Sequence, residues 1–163
     1  MKIFLTVQLF IFSIFTGCII PESNHVEPNY HLLTSLSEDE NENELRMILN
    51  FGHTVGHAIE SFTNYKNLLH GEAIFYGMKC ALYLSNKFGN LSNDEYDISI
   101  QLLSKFELPK LYIDNRETFI NFVKNDKKFR EKKIRFILLD EIGKSRISED
   151  ITFDQIKESL SVL

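Results

Sequence analysis

The residues best suited to do chemistry lie in the stretch Arg46-Met47-Ile48-Leu49-Asn50-Phe51-Gly52-His53-Thr54-Val55-Gly56-His57-Ala58-Ile59-Glu60. Counted along a helix, Arg46, Asn50, His53 and His57 fall at i, i+4, i+7 and i+11, a single stripe on one face. A guanidinium, a carboxamide and two imidazoles in a row suit an anionic substrate beside a metal or a proton donor better than they suit a core. Ile48, Leu49, Val55 and Ile59 lie opposite and offer a packing side. Gly52 and Gly56 each cost a helix about 1 kcal/mol against alanine, and small residues one turn apart let a second backbone or a ligand come close.

His53 and His57 have the i,i+4 spacing of a helical metal pair, but Thr54 stands where a zincin protease carries its glutamate, so that reading fails. His70-Gly71-Glu72 follows at the start of a second helical pattern. Three histidines within 18 residues point to a metal or an acid/base site, and spacing alone leaves the two open. Asn125-Asp126-Lys127-Lys128 reads either as a solvated charged loop or as two ammonium groups reaching a carboxylate or phosphate.

The elements that must position these groups can be read from apolar period and capping residues. A first helix is expected over Asn43–Phe62 and a second from His70 to Phe88, closed by Gly89. Ser92-Asn93-Asp94-Glu95 is a capping box for a third helix that stops before Leu108-Pro109, and Arg116–Lys124 gives a short fourth. The period then changes: Ile134–Leu139 reads as a strand, with a turn at Gly143 and a partner over Lys144–Ser148. Thr152-Phe153-Asp154-Gln155 caps a last helix. The expected architecture is mainly α with one late β-hairpin.

Ahead of this domain, which spans residues 38–163, lie an apolar segment (1–20) and a linker with Pro21 and Pro28 (21–37). Met1–Cys18 has the order of a signal peptide, and Phe15-Thr16-Gly17-Cys18 loosely resembles a lipoprotein cleavage box. The acidic patch Glu38, Asp39, Glu40, Glu42 and Glu44 suits a solvated face or a helix N-terminus. Lys and Arg total 18 against 23 Asp and Glu, a net charge of -5 without a basic block, which argues against nucleic acid as a partner. Two cysteines, Cys18 and Cys80, make no disulfide framework and no CxxC zinc pair.

The string Arg46-x-x-Leu49-Asn50-Phe51-Gly52-His53-Thr54-x-Gly56-His57-Ala58-Ile59-Glu60, followed by His70-Gly71-Glu72-Ala73 and Gly77-Met78, closely resembles 3-dehydroquinate synthase of the shikimate pathway. Asp126-Lys127-Lys128, Ile134–Leu139 and Ile142-Gly143 continue the likeness, which runs over 126 of 163 residues. The resemblance implies the helical C-terminal domain of that fold. It implies His53 and His70 as ligands of a divalent metal (zinc, with cobalt as the alternative), correcting the His53–His57 pairing that spacing favours. It makes His57 a proton-transfer residue and Glu42 a second acid/base position. Arg46 and Asn50, with Lys127 or Lys128, would bind a phosphorylated sugar acid. The family reaction converts 3-deoxy-D-arabino-heptulosonate 7-phosphate to 3-dehydroquinate and phosphate, with bound NAD taking a hydride and returning it.

Family members are about twice this long, and their N-terminal half holds NAD and supplies a glutamate as third metal ligand. Nothing before Glu38 resembles that half, no Gly-rich dinucleotide fingerprint occurs, and Leu32 stands where the family has a further lysine. The expectation is a chain inactive alone, whose NAD-binding half comes from another chain or has been lost, or whose residues 1–37 do not belong to the gene. A homodimer is a second way for copies to associate. A cytoplasmic location follows from the family, against membrane anchoring through residues 1–20. Rival functions are another sugar-phosphate cyclase, which Arg46 with Asn50 disfavours, a metal alcohol dehydrogenase of the same fold, a plain metal-binding protein, and a non-catalytic membrane-tethered helical module.

Overall fold

The structure, a computed structural model, describes residues 47–125 and 135–163. In chain order these form α1 (His53–Phe62), α2 (His70–Phe88), α3 (Asn93–Leu103), α4 (Arg116–Asn125), β1 (Phe136–Glu141), β2 (Lys144–Ser148) and α5 (Phe153–Ser159), which ends in a 3-10 turn at Leu160–Val162. The mainly α architecture with a late hairpin is as the sequence predicts. The apolar segment 1–20, the linker 21–37 and the acidic patch lie outside the described residues.

The axis of the fold is α2, of whose 19 residues 12 are buried. Its apolar residues run all the way round rather than along one stripe, which is the pattern of a helix packed on several sides. Ala73, Tyr76, Cys80 and Leu84 join one core with Val55 and Ile59 of α1, Phe119 and Val123 of α4, and Ile156 of α5. Ile74, Phe75, Met78 and Leu82 join a second with Phe51, Leu91 and Leu103. Strand β1 is buried on both faces and feeds both: Phe136 and Leu138 enter the first core, Ile137 and Leu139 the second. Each such side chain taken out of water contributes about 1.5–3 kcal/mol. Within the first core, burial pushes the Cys80 thiol up to about 12, so this cysteine is an inert apolar group.

One expected element is corrected. The helix predicted without interruption over Asn43–Phe62 is broken: residues 47–48 are helical, 49–52 form turns, and α1 begins only at His53. Gly52 causes the break, because it takes φ +80, a left-handed conformation open mainly to glycine. A neighbouring backbone leaves no room for anything larger. A Cβ on Gly52 would sit 2.6 Å from the Met78 nitrogen, and one on Gly77 would sit 2.0 Å from the Gly52 carbonyl oxygen. A Cβ on Gly56 would lie 2.6 Å from the tip of the Ile74 side chain and 3.1–3.2 Å from the main chain of Ile74 and Ala73. These glycines therefore serve close backbone packing of α1 on α2. Leu49, expected on the packing side, is 44% exposed because the turn carries it outward.

The remaining ends follow their capping residues. Helix α1 stops in a Schellman arrangement: Asn64 at φ 52 donates its N–H to the Ser61 carbonyl, and Tyr65 donates to the Glu60 carbonyl at 2.8 Å. Gly89 closes α2 as expected, and a Cβ there would lie 2.5 Å from the Ser85 carbonyl oxygen. Ser92 caps α3 and Thr152 caps α5, each by the predicted capping box. Strand β1 begins at Phe136 and extends to Glu141, two residues further than expected, with Asp140 as the irregular position opposite β2. The hairpin is tied to the helices at two points. The Leu139 N–H donates to the buried Ser85 hydroxyl at 2.9 Å, and the Ile142 N–H donates to the Glu95 carboxylate at 2.9 Å.

Two measurements test this construction. Gly77→Ala drives a methyl into the Gly52 carbonyl, and overpacking of this kind costs on the order of 3 kcal/mol or more; a urea unfolding midpoint equal to wild type would refute the close contact. Glu95 accepts hydrogen bonds first from the Ser92 hydroxyl and then from the Ile142 N–H, which hold its carboxyl below the usual carboxylate range. A depressed folded-state value means stability present above the unfolded value and lost as pH falls through the folded one. Replacing Glu95 by Gln is therefore expected to lower stability at neutral pH and to flatten the acid limb of a thermal-melt series. An acid limb identical to wild type would remove Glu95 from that role.

Candidate functional site

Both helices that carry the histidines begin with one. His53 is the first residue of α1, His57 follows one turn later, and His70 is the first residue of α2. The glycine-mediated approach of α1 to α2 brings the three together: ring centroids are 5.5 Å apart for His53–His57, 5.7 Å for His53–His70 and 5.5 Å for His57–His70. The second helix is started by Glu72, whose carboxylate accepts the Leu69 N–H at 2.7 Å and so fixes the turn that presents His70.

Glu60 organises two of the three rings. It is 9% exposed, and its two carboxylate oxygens are divided between neighbours. His57 donates from Nδ1 to Oε2 at 2.9 Å, and His70 donates from Nδ1 to Oε1 at 3.0 Å. The direction of these bonds follows from chemistry, since an ionised carboxylate only accepts. His53 directs its Nδ1 toward the Phe51 carbonyl at 3.4 Å, a longer contact of the same sense. An imidazole held by an acceptor at Nδ1 presents Nε2 for ligating a metal or accepting a proton. The rings of His57 and His70 are partly exposed, with side-chain accessibilities of 38% and 40%, whereas the Glu60 side chain retains 11%.

Of the residues expected to act, His53, His57 and His70 are thus neighbours. Asn50 lies exposed in the turn before α1, its carbonyl accepting the His53 N–H at 2.9 Å. The stripe expected to join it to the histidines on one continuous helix is interrupted at Gly52. Glu42, Arg46, Lys127 and Lys128 lie outside the described residues. Glu60 was not among the expected site residues. Its signal was there, a carboxylate at i+3 from His57 on the same helix.

Nitrogen donors in this number suit zinc or cobalt, and clusters of imidazoles with a supporting carboxylate are the usual setting for such ions. The ligand atoms of His57, Glu60 and His70 also lie within 4.8 Å of one another, which makes them a second donor set among the described residues. No described helix is long and apolar enough to cross a membrane.

The comparisons with known proteins agree with the motif. The family model described as 3-dehydroquinate synthase C-terminal matches residues 31–129. The 3-dehydroquinate synthase of Campylobacter concisus is 43% identical over 126 residues, covering 77% of this chain and 36% of the relative. That of Thermoanaerobacter pseudethanolicus is 42% identical over 114 residues, covering 69% of this chain and 32% of the relative. The chain thus spans about a third of the length of these relatives. Among solved structures, 2-deoxy-scyllo-inosose synthase complexed with carbaglucose-6-phosphate, NAD+ and Co2+ superposes with a TM-score of 0.74 at 22% identity, covering 97% of this chain and 50% of that one. The 2-epi-5-epi-valiolone synthase of Streptomyces hygroscopicus, with NAD+ and Zn2+ bound, gives a TM-score of 0.59 at 23% identity, covering 81% and 36%. At these identities the structures establish a shared fold. With the family model spanning residues 31–129, the chain belongs to the 3-dehydroquinate synthase family, in the C-terminal part of that enzyme.

Proposed function

We propose that this chain supplies the metal-binding and proton-transferring wall of a 3-dehydroquinate synthase, which converts 3-deoxy-D-arabino-heptulosonate 7-phosphate to 3-dehydroquinate and phosphate. The observation that carries the reading is the histidine triangle, in which the Nδ1 of each ring lies beside an oxygen acceptor. His53 and His70 would hold a divalent cation, zinc or cobalt, together with a ligand from outside the described residues. When bound, such an ion supplies Lewis acidity toward substrate oxygens.

The rest belongs to the chain's own side chains. His57 accepts a proton at Nε2 and returns it, and the imidazolium formed is stabilised by the Glu60 carboxylate already bonded at Nδ1. Glu42 is the second acid/base group in this proposal. Asn50, Arg46 and the Lys127–Lys128 pair bind the hydroxyl, carboxylate and phosphate groups of a phosphorylated sugar acid. In this proposal NAD is held by a complementing half of the enzyme. Pairing with that half, or with a second copy, completes the cleft in this proposal. Residues 38–163 are the functional unit, preceded by a linker at 21–37 and an apolar segment at 1–20. In this proposal the reaction is cytoplasmic.

The test adds the NAD-binding half of a family relative to the purified 163-residue chain, with NAD, zinc and the heptulosonate phosphate, and follows phosphate release and product. Turnover is expected from the mixture and not from the chain alone. His57→Ala in the mixture is expected to lower kcat by roughly 10²–10⁴, the usual contribution of a positioned acid/base group. Undiminished turnover by that variant, or a cyclised product other than 3-dehydroquinate, would overturn the reading.

A further inference from the structure

Glu60 is the one strongly buried carboxylate among the described residues, and no role follows for it from the assignments above. A buried charge needs partners, and here both are functional side chains. One carboxylate oxygen takes the His57 Nδ1–H at 2.9 Å and the other takes the His70 Nδ1–H at 3.0 Å. The two rings it holds lie nearly parallel, with an interplanar angle of 28° and centroids 5.5 Å apart.

Two roles compete for this group. Glu60, His57 and His70 are close enough to bind an ion directly, with all three ligand atoms within 4.8 Å. Binding an ion through Glu60 would engage a carboxylate oxygen that already accepts one of the two short hydrogen bonds, at 2.9 and 3.0 Å. The alternative keeps them. The carboxylate then lies behind the two rings and turns the opposite nitrogen of each toward the site. Its backbone is held for the purpose. The Glu60 carbonyl accepts the Tyr65 N–H at 2.8 Å and the Thr63 hydroxyl at 3.2 Å, so the residue is locked into the end of α1.

We infer that Glu60 is a shared positioning residue, a single carboxylate that sets the tautomer of both the proton-transfer imidazole His57 and the metal-ligand imidazole His70 without itself binding the ion. This inference rests on the assignment of His57 and His70 made under the proposed function. Sharing has a consequence that two separate supports would lack. A glutamine at 60 has one carbonyl oxygen and one NH2 group, so it can accept from only one of the two rings. The other ring then faces a donor and must move its proton to Nε2, blocking the lone pair. Loss of one carboxylate thereby disables either the base or the ligand.

The test uses the 15N-labelled full chain. In metal-free wild type, long-range 1H–15N spectra are expected to show His57 and His70 as Nδ1–H tautomers. In Glu60→Gln, one of the two is expected as Nε2–H. Where His70 is the ring that switches, zinc affinity by equilibrium dialysis is expected to fall 10–100-fold, the usual cost of losing a group that orients a ligand. With 113Cd as the probe ion, coupling is expected to Nε2 of His70 while its Nδ1 proton persists. An Nε2–H tautomer for either ring in wild type, unchanged tautomers in Glu60→Gln, or cadmium coupling to Nδ1 of His57 or His70 would overturn the inference, and the wild-type spectrum decides even if the variant fails to fold. Failure of the broader reading has a separate signature: His53→Ala and His70→Ala would bind zinc as wild type does, whatever the tautomers show.

Discussion

The site depends on one steric fact, that the backbone at Gly52 and the backbone at Gly77 touch. A hydrogen in place of each Cβ lets the turn before α1 lie directly on the middle of α2, where even a methyl at either position would overlap neighbouring main-chain atoms. That approach does two jobs. It stops the helix entering from residues 47–48, because Gly52 takes a left-handed φ, and it restarts the helix with His53 at its first position. It also sets the distance between α1 and α2 at which His53 and His57 on one helix meet His70 on the other.

The second constraint is electrostatic. Taking a carboxylate almost out of water is expensive unless hydrogen bonds replace its hydration. Glu60 meets that condition with two imidazole N–H groups and with a position near the end of α1, where a cap fixes its main chain. The desolvation cost works in favour of function, because a poorly hydrated carboxylate has few other ways to be satisfied and so enforces one orientation on each ring. Rings aimed by packing and by a hydrogen bond at the rear lose little further freedom when they bind an ion or a proton, which favours sites built on helices over sites built on loops.

Much of the frame was legible in the residues, for physical reasons that differ from element to element. Capping boxes at Ser92 and Thr152 are local, so three residues suffice to identify them, and both are where the pattern put them. The hairpin was readable because period two and Gly143 coincide. Less legible was the break inside Asn43–Phe62, since the apolar period runs straight through Gly52. Only its partner Gly77, 25 positions away, makes the left-handed turn necessary. The same distance effect hid Glu60. On a helix wheel it is one more carboxylate beyond His57, and its link to His70 appears only once α2 has folded back on α1. The i,i+4 rule paired His53 with His57 and the family motif paired His53 with His70, and the three rings are mutually adjacent.

Their mutual adjacency explains why the motif is so dense. A metal ligand and a proton-transfer group must differ in what they do at Nε2, yet they need the same thing at Nδ1, an acceptor that fixes the tautomer. Giving each its own carboxylate would place two like charges in a half-buried region, where neither could be well hydrated and each would raise the cost of the other. One carboxylate with two oxygens meets both needs with a single buried charge. The price is geometric: His57 must sit one turn before Glu60 on α1, and His70 must open α2 within reach of the second oxygen. The short, capped connection between the helices meets the latter demand, with the Schellman end of α1 and Glu72 at the start of α2 leaving residues 63–69 to span the gap. The spacing His53, His57, Glu60, His70 is therefore one structural solution, and moving any member along its helix would require the other three to follow.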